Sequence, residues 1–161
     1  MNKTMMRMAF LVLLGLSLPA FGQDGRTRSA GQVLYLPIYS HVWYGEVDAR
    51  GQPQKSLVSV LVSVRNVDAR RALRLTSARY YDTEGKSLKE YVQTARVIGP
   101  MATYELFIPR SDDTGGSGAN FVISWKSDVA INPPIVEALH VNLAAARSIA
   151  FTTTAREINA D

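Results

Sequence analysis

Apolar and polar residues alternate with a period of two along most of the chain after residue 32. The clearest run is Ser56–Arg65, in which four valines would share one face of an extended strand: Val58, Val60, Val62 and Val64. A helix would distribute these side chains around its axis, and β-branched residues favour the extended backbone. This segment is therefore predicted to be a half-buried β-strand.

Similar alternation predicts further strands: Val33–Tyr39, Leu73–Tyr81, Ser87–Val97, Thr103–Ile108, Phe121–Trp125 and Ser148–Arg156. Turn signals separate them, among them a hairpin at Asp82–Lys86 in which Gly85 can adopt a positive φ. Ile135–Leu143 fits either a helix or a strand, and we favour a strand because the neighbouring strands need a partner.

About seven or eight short strands separated by turns are typical of an all-β fold, a single antiparallel β-sandwich. The valine face of Ser56–Arg65 should then pack against the inward residues of the strand near residue 121. We expect seven residues to be buried together between two sheets: Val58, Val60, Val62, Val64, Phe121, Ile123 and Trp125.

The first 22 residues have the pattern of a signal peptide. Lys3 and Arg7 precede an apolar run, Met8–Leu18, which is too short for a membrane span of roughly 20 residues. Cleavage is predicted after Gly22. The prediction is then a flexible tail at 23–31, a β-sandwich domain at 32–156 and a C-terminal tail at 157–161, with a periplasmic or secreted location and no later membrane span.

Charge and cysteine content exclude some classes of partner and of stabilisation. The chain has 18 Lys and Arg against 14 Asp and Glu, and two of the basic residues lie in the signal peptide. The exported part is thus nearly neutral, which gives no electrostatic reason to expect nucleic acid as a partner. The chain has no Cys, so an exported form must be stabilised by core burial without disulfides.

Several segments together resemble an uncharacterised family of small exported bacterial proteins, known as a domain of unknown function. The resemblance runs from about Gln32 to Arg156, and its most specific part extends from the glycine-rich loop through Trp125. The segments are residues 33–41, 64–68, 80–86, 113–121 and 132–134. The family implies no activity and no catalytic residue. The strand ending at Arg65 and the later Tyr-Asp-x-x-Gly turn also resemble immunoglobulin-like bacterial sandwiches more loosely, which concerns the fold alone.

The glycine-rich loop after Pro109 contains Asp113-Thr114-Gly115, the one run that matches a catalytic motif. Aspartic proteases place such an Asp beside a second carboxylate, so catalysis here would need a homodimer. A second possibility is a ligand loop at 112–120, in which Asp112, Asp113, Gly115, Gly116 and Ser117 bind an anion or Ca²⁺. We favour a third, an ordered turn in which Asp113 organises backbone N–H groups of its own loop.

Four aromatic residues follow the first predicted strand: Tyr39, His41, Trp43 and Tyr44. They could hold a sugar or a peptide, although covering an open end of the sandwich is the favoured interpretation. His41 and His140 are the two histidines, and with no Cys nothing in the sequence supports a metal site or a cofactor.

Five arginines cluster around one predicted hairpin: Arg65, Arg70, Arg71, Arg74 and Arg79. A solvated turn is the favoured interpretation, and a docking patch for an acidic partner or anionic headgroups is the alternative.

The sequence therefore predicts a non-enzymatic exported binding or interaction module with an unidentified protein or small-molecule partner. The alternative is a module for a small ligand, a sugar or a metal that uses the 112–120 loop and the 39–44 aromatic cluster. A small aspartic-type hydrolase acting through Asp113 is the third hypothesis.

Overall fold

The computed structural model describes residues 27–144 and 148–159, and the predicted signal peptide at 1–22 lies outside them. Within these residues the secondary structure consists of twelve strands: β1 (Ser29–Pro37), β2 (His41–Tyr44), β3 (Gln54–Leu57), β4 (Ser59–Arg65), β5 (Leu73–Tyr81), β6 (Ser87–Glu90), β7 (Arg96–Ile98), β8 (Thr103–Ile108), β9 (Asn120–Ile131), β10 (Ile135–Leu143), β11 (Ser148–Thr154) and β12 (Arg156–Ile158).

The strands form two main antiparallel sheets and one separate hairpin. The larger sheet has the order β12-β1-β9-β5-β6, with β7 pairing the same edge of β5 as β6 does. The smaller sheet has the order β11-β10-β4-β8, and β2 pairs with β3 alone. The all-β class is confirmed, although the strand number exceeds the seven or eight that the sequence predicted.

One hydrophobic core joins the two main sheets and makes them a sandwich. It receives inward side chains from β4, β8 and β10 on one side and from β1, β5, β7 and β9 on the other. Phe121, Ile123 and Trp125 of β9 are at most 1% exposed, and all four valines from Val58 to Val64 are fully buried. The predicted burial is therefore confirmed, with Val58 lying outside the main core cluster.

Val58 marks the point where the predicted strand Ser56–Arg65 divides. Before it, β3 pairs with β2; after it, β4 pairs with β8 and β10. The Val58 N–H donates to the carbonyl of Ser40 at 3.1 Å, which closes the base of the β2–β3 hairpin where β4 begins. β3 and β4 thus belong to different sheets, although the period-two pattern of the sequence continues from one strand to the next.

Two predicted boundaries differ from the structure. β1 begins at Ser29, so residues 29–31 of the predicted tail belong to the sandwich. β12 extends to Ile158 and pairs with β1, so residues 157–158 of the predicted C-terminal tail also belong to it. Residues 135–143 form a strand, as favoured, because β10 fills the gap between β4 and β11.

Candidate functional site

The aromatic segment and the glycine-rich loop meet at one end of the sandwich. The Ser40 N–H donates to the carbonyl of Gly116 at 2.9 Å, and the Ile38 N–H donates to that of Ala119 at 2.8 Å. The β2–β3 hairpin continues directly from this contact. The two parts that sequence analysis singled out separately therefore form one surface, referred to below as the loop end.

Buried contacts with β5 fix the shape of the glycine-rich loop. The hydroxyl oxygens of Tyr80 and Ser40 are 3.0 Å apart and hydrogen-bonded, and both residues are buried. Gly115 packs directly on the Tyr80 phenol, because an added Cβ would overlap the hydroxyl oxygen and lie 2.6 Å from Cζ. The loop can approach the core this closely only because residue 115 has no side chain.

Thr83, in the predicted Asp82–Lys86 turn, also stabilises the glycine-rich loop through hydrogen bonds. Its N–H and its hydroxyl both donate to the Gly115 carbonyl at 3.0 Å, and its Oγ1 accepts from the Gly118 N–H at 3.0 Å. Gly116 has φ +76°, which favours glycine, and so does Gly85 at +79°. The loop is therefore an ordered turn, as the sequence analysis favoured.

Two adjacent carboxylates of this loop have different partners. Asp112 Oδ1 accepts from the Thr114 hydroxyl at 2.6 Å and from its N–H at 3.3 Å, whereas Asp113 Oδ2 accepts from Lys55 Nζ at 2.7 Å. The Lys55 ammonium lowers the pKa of the Asp113 carboxyl, first through the hydrogen bond and then through its charge. The prediction that Asp113 organises its own loop was wrong; Asp112 has that role, and Asp113 ties the loop to β3.

His41 is the first residue of β2, directly after the Ser40 contact with the loop, and is only 6% exposed. Its ring meets that of Trp43 edge-on, with centroids 4.9 Å apart, and neither ring nitrogen has a hydrogen-bond partner. Burial lowers the pKa of His41, and the charge of Lys55 lowers it further, while Asp113 opposes this change. His41 is therefore a neutral packing residue near pH 7.

The predicted aromatic cluster is divided into two parts. Tyr39 packs edge-on against His140 and Phe151, with ring centroids 5.7 and 5.6 Å away, and so belongs to the side of β10 and β11. Trp43 and Tyr44 are 47% and 38% exposed on β2. The loop end therefore presents two aromatic side chains, with His41 packed beneath Trp43.

The structure thus brings together most of the predicted site residues: His41, Trp43, Tyr44, Asp112, Asp113, Gly115, Gly116 and Ser117. Sequence reasoning missed Lys55, Tyr80 and Thr83, which hold this end together. No local signal could have identified them, because each contact joins residues more than 30 positions apart.

Three cavities of about 300, 690 and 420 Å³ lie away from the loop end, and none of the predicted site residues lines them. Across residues 27–144 and 148–159, no three His, Asp or Glu side chains are grouped closely enough to hold a metal ion. The described part of the chain also contains no helix suited to crossing a membrane.

Comparison with known proteins gives a family but no activity. No curated protein matches the chain. The crystal structure of Thermotoga maritima 1070 matches with a TM-score of 0.41 and 10% identity, over 78% of this chain and 92% of that one. At this level of likeness nothing about that protein carries over. The looser resemblance to immunoglobulin-like sandwiches is not confirmed by these comparisons. Residues 31–158 match the family described as "Protein of unknown function (DUF3124)", so the predicted resemblance to an uncharacterised family is confirmed and the chain belongs to this family.

Proposed function

We propose that the chain is an exported, non-enzymatic interaction module that contacts a partner macromolecule through the loop end. The main supporting observation is that Trp43 and Tyr44 are exposed on a hairpin that is hydrogen-bonded at its base to an ordered loop. Large exposed aromatic side chains on a rigid support are the usual energetic centre of a binding surface.

The form of this surface favours a macromolecule over a small ligand. Small molecules bind in clefts that enclose most of their surface. Trp43 and Tyr44 are instead exposed on an open hairpin, on opposite faces of it because they are consecutive strand residues. Trp43 lies opposite Lys55 of β3, whose ion pair with Asp113 has both side chains more than a third exposed. An apolar aromatic centre with a charged border suits a protein partner. A polysaccharide is the second candidate, because the Trp43 ring could stack on a sugar.

The contact between Asp113 and Lys55 supports a structural role for Asp113 rather than a catalytic one. An aspartic protease needs one of two neighbouring carboxyls to carry a proton. The Asp113 carboxylate instead accepts a hydrogen bond from an ammonium group, which favours its ionised form. Asp113 is therefore better suited to fastening the loop to β3 than to proton transfer.

A photo-crosslinking residue placed at Gln54, an exposed residue of β3 opposite Tyr44, would test the interaction surface and leave Trp43 and Tyr44 in place. We expect crosslinks to a defined envelope protein or polysaccharide, and these should fall at least about tenfold when Trp43→Ala is added. The matched control is the same crosslinker at Phe107, which is 57% exposed on β8. Equal yields from both positions, or none from position 54, would show that the loop end is not the contact surface.

Export is tested separately. The signal-peptide pattern in residues 1–22 supports a form that begins at Gln23 in the periplasm or the medium. N-terminal sequencing of the fractionated protein decides this, and an intact mass that includes Met8–Leu18 would contradict it.

A further inference from the structure

The end of the sandwich opposite the loop end contains a cavity lined by arginines. β4 and β5 are joined there by residues 66–72, β9 and β10 are joined through Asn132, and β1 begins beside them. The cavity has a volume of about 420 Å³ and six lining residues: Arg28, Asp68, Ala69, Arg70, Arg71 and Asn132. We refer to it as the arginine cavity.

The arginines around this hairpin fall into two groups by their partners. Arg65 is paired with Glu137 at 3.1 Å and Arg79 with Glu90 at 3.6 Å, and Arg74 is paired with Asp128. Within residues 27–144 and 148–159, Arg70 and Arg71 have no such pair. Of the five arginines that the sequence places close together, three are therefore paired with acidic residues, and the other two, Arg70 and Arg71, line the cavity.

A buried hydrogen-bond network holds the backbone of the arginine cavity in place. The Asn66 amide is 2% exposed; it donates to the carbonyls of Arg71, Ile98 and Gly99 at 2.8–3.1 Å and accepts from the Asp68 N–H at 3.0 Å. Asp68 Oδ1 in turn accepts the N–H groups of Arg70 and Arg71, each at 3.0 Å. Both arginines thus extend from a fixed backbone while their side chains remain available.

The charge balance of the cavity is positive despite Asp68. The N–H groups of Arg70 and Arg71 stabilise the ionised carboxylate, and the charge of Arg28 does so to a smaller degree. The lining thus contains one acidic residue, Asp68, and three basic residues, Arg28, Arg70 and Arg71. Guanidinium groups form paired hydrogen bonds with the oxygens of tetrahedral oxyanions.

We propose that the arginine cavity binds a phosphoryl group, with Arg28, Arg70 and Arg71 as its ligands. A net charge of two positive units matches a doubly charged phosphate, and the polar lining suits an anion better than an apolar ligand. The site lies on the opposite end from the proposed interaction surface and does not depend on it.

Calorimetric titration of the purified full chain with inorganic phosphate at low ionic strength tests the site. We expect saturable binding of one phosphate, which Arg70→Gln and Arg71→Gln each weaken at least about tenfold. Neither substitution removes a backbone N–H that Asp68 uses, so the fold should persist and circular dichroism should show this. The matched control is Arg74→Gln, which changes an arginine already paired with Asp128 and should leave affinity unchanged.

A second arm identifies the source of the phosphoryl group. If the source is a soluble phosphate compound, glycerol phosphate should displace inorganic phosphate, and the protein should not sediment with vesicles that contain phosphatidic acid, a phosphomonoester lipid. For a lipid headgroup, the protein sediments with these vesicles, and Arg71→Gln abolishes this. Either result supports the site. Absence of saturable phosphate binding, equal displacement by chloride, or the same affinity in Arg71→Gln and Arg74→Gln would overturn it.

Discussion

Gly115 is the residue at which the loop end tolerates the least change. A Cβ there would overlap the hydroxyl of Tyr80, and this phenol cannot move away because it is buried and bonded to Ser40. We therefore expect Gly115→Ala to cost about 1–3 kcal/mol of stability, the usual range for overpacking.

Chemical denaturation measures this cost, and Gly99→Ala is the matched control. Gly99 has an ordinary φ and nothing within 4 Å of its Cβ direction, so its substitution should be nearly neutral. If both variants unfold at the same denaturant concentration, the close packing of Gly115 on Tyr80 is contradicted.

His140 makes stability depend on pH. It is fully buried on β10, its Nε2 accepts from the Tyr39 N–H at 3.1 Å, and burial lowers its pKa to about 4 from an ordinary 6.5. As the pH falls from 6.5 to about 4, His140 becomes protonated in the unfolded chain but stays neutral in the folded chain. Stability should therefore fall through this window by about 3 kcal/mol and change little from this residue below it.

Denaturant unfolding of the wild type and His140→Gln between pH 7 and pH 4 tests this. Gln can still accept a hydrogen bond but does not titrate, so the variant should lose less stability than the wild type. Parallel pH profiles would show that His140 does not titrate differently in the two states.

At the scale of elements, Asn66 connects two corners of the sandwich. Its amide joins the β4–β5 connection to the turn between β7 and β8 through the carbonyls of Arg71, Ile98 and Gly99. Asn66→Ala leaves these buried or half-buried carbonyls without that donor, and we expect a loss of at least about 2 kcal/mol.

Thermal unfolding followed by circular dichroism measures this loss. Asn142→Ala is a suitable control, because this half-buried amide donates to one side chain, that of Ser56, rather than to several backbone carbonyls. An equal change of melting temperature in the two variants would contradict the connecting role of Asn66.

The sequence predicts the long strands better than the short strands that pair with them. The predicted bounds Leu73–Tyr81, Thr103–Ile108 and Ile135–Leu143 agree with β5, β8 and β10, because alternation within a half-buried strand is a local signal. β2 and β12 were missed as strands. β12 has three exposed residues and is defined by its pairing with β1, a contact that no local pattern contains.

The loop end also depends on long-range contacts that no local sequence pattern contains. Glycines at 115 and 116 indicate an unusual loop from the sequence alone. The aromatic residues at 43 and 44 were interpreted as covering an open end of the sandwich, and their exposure was not predicted. That they lie together depends on hydrogen bonds from Ser40, Lys55 and Thr83, which belong to three separate segments. The arginines could be counted, but which of them remain unpaired depends on acidic residues from distant strands.

For the whole molecule, one core shared by both sheets implies a single unfolding transition. Trp125 lies in this core and is 1% exposed, so its fluorescence should change together with the far-ultraviolet circular dichroism. Trp125→Ala should remove about 3–5 kcal/mol, the range for emptying a core aromatic site. Trp43→Ala, at a half-exposed position outside this core, should cost clearly less than Trp125→Ala. Two separated transitions in the wild type would contradict the single core.

The position of β1 has a consequence for the order of events in folding. Val33 pairs with Ser124 on one side and with Ile158 on the other, which follow it in the chain by 91 and 125 residues. While the polypeptide is being synthesised, β1 has no partner until most of the remaining chain has emerged. Pairings between such distant segments make folding slow, in milliseconds to seconds. During this interval the early strand is an open edge, available to a chaperone and vulnerable to aggregation.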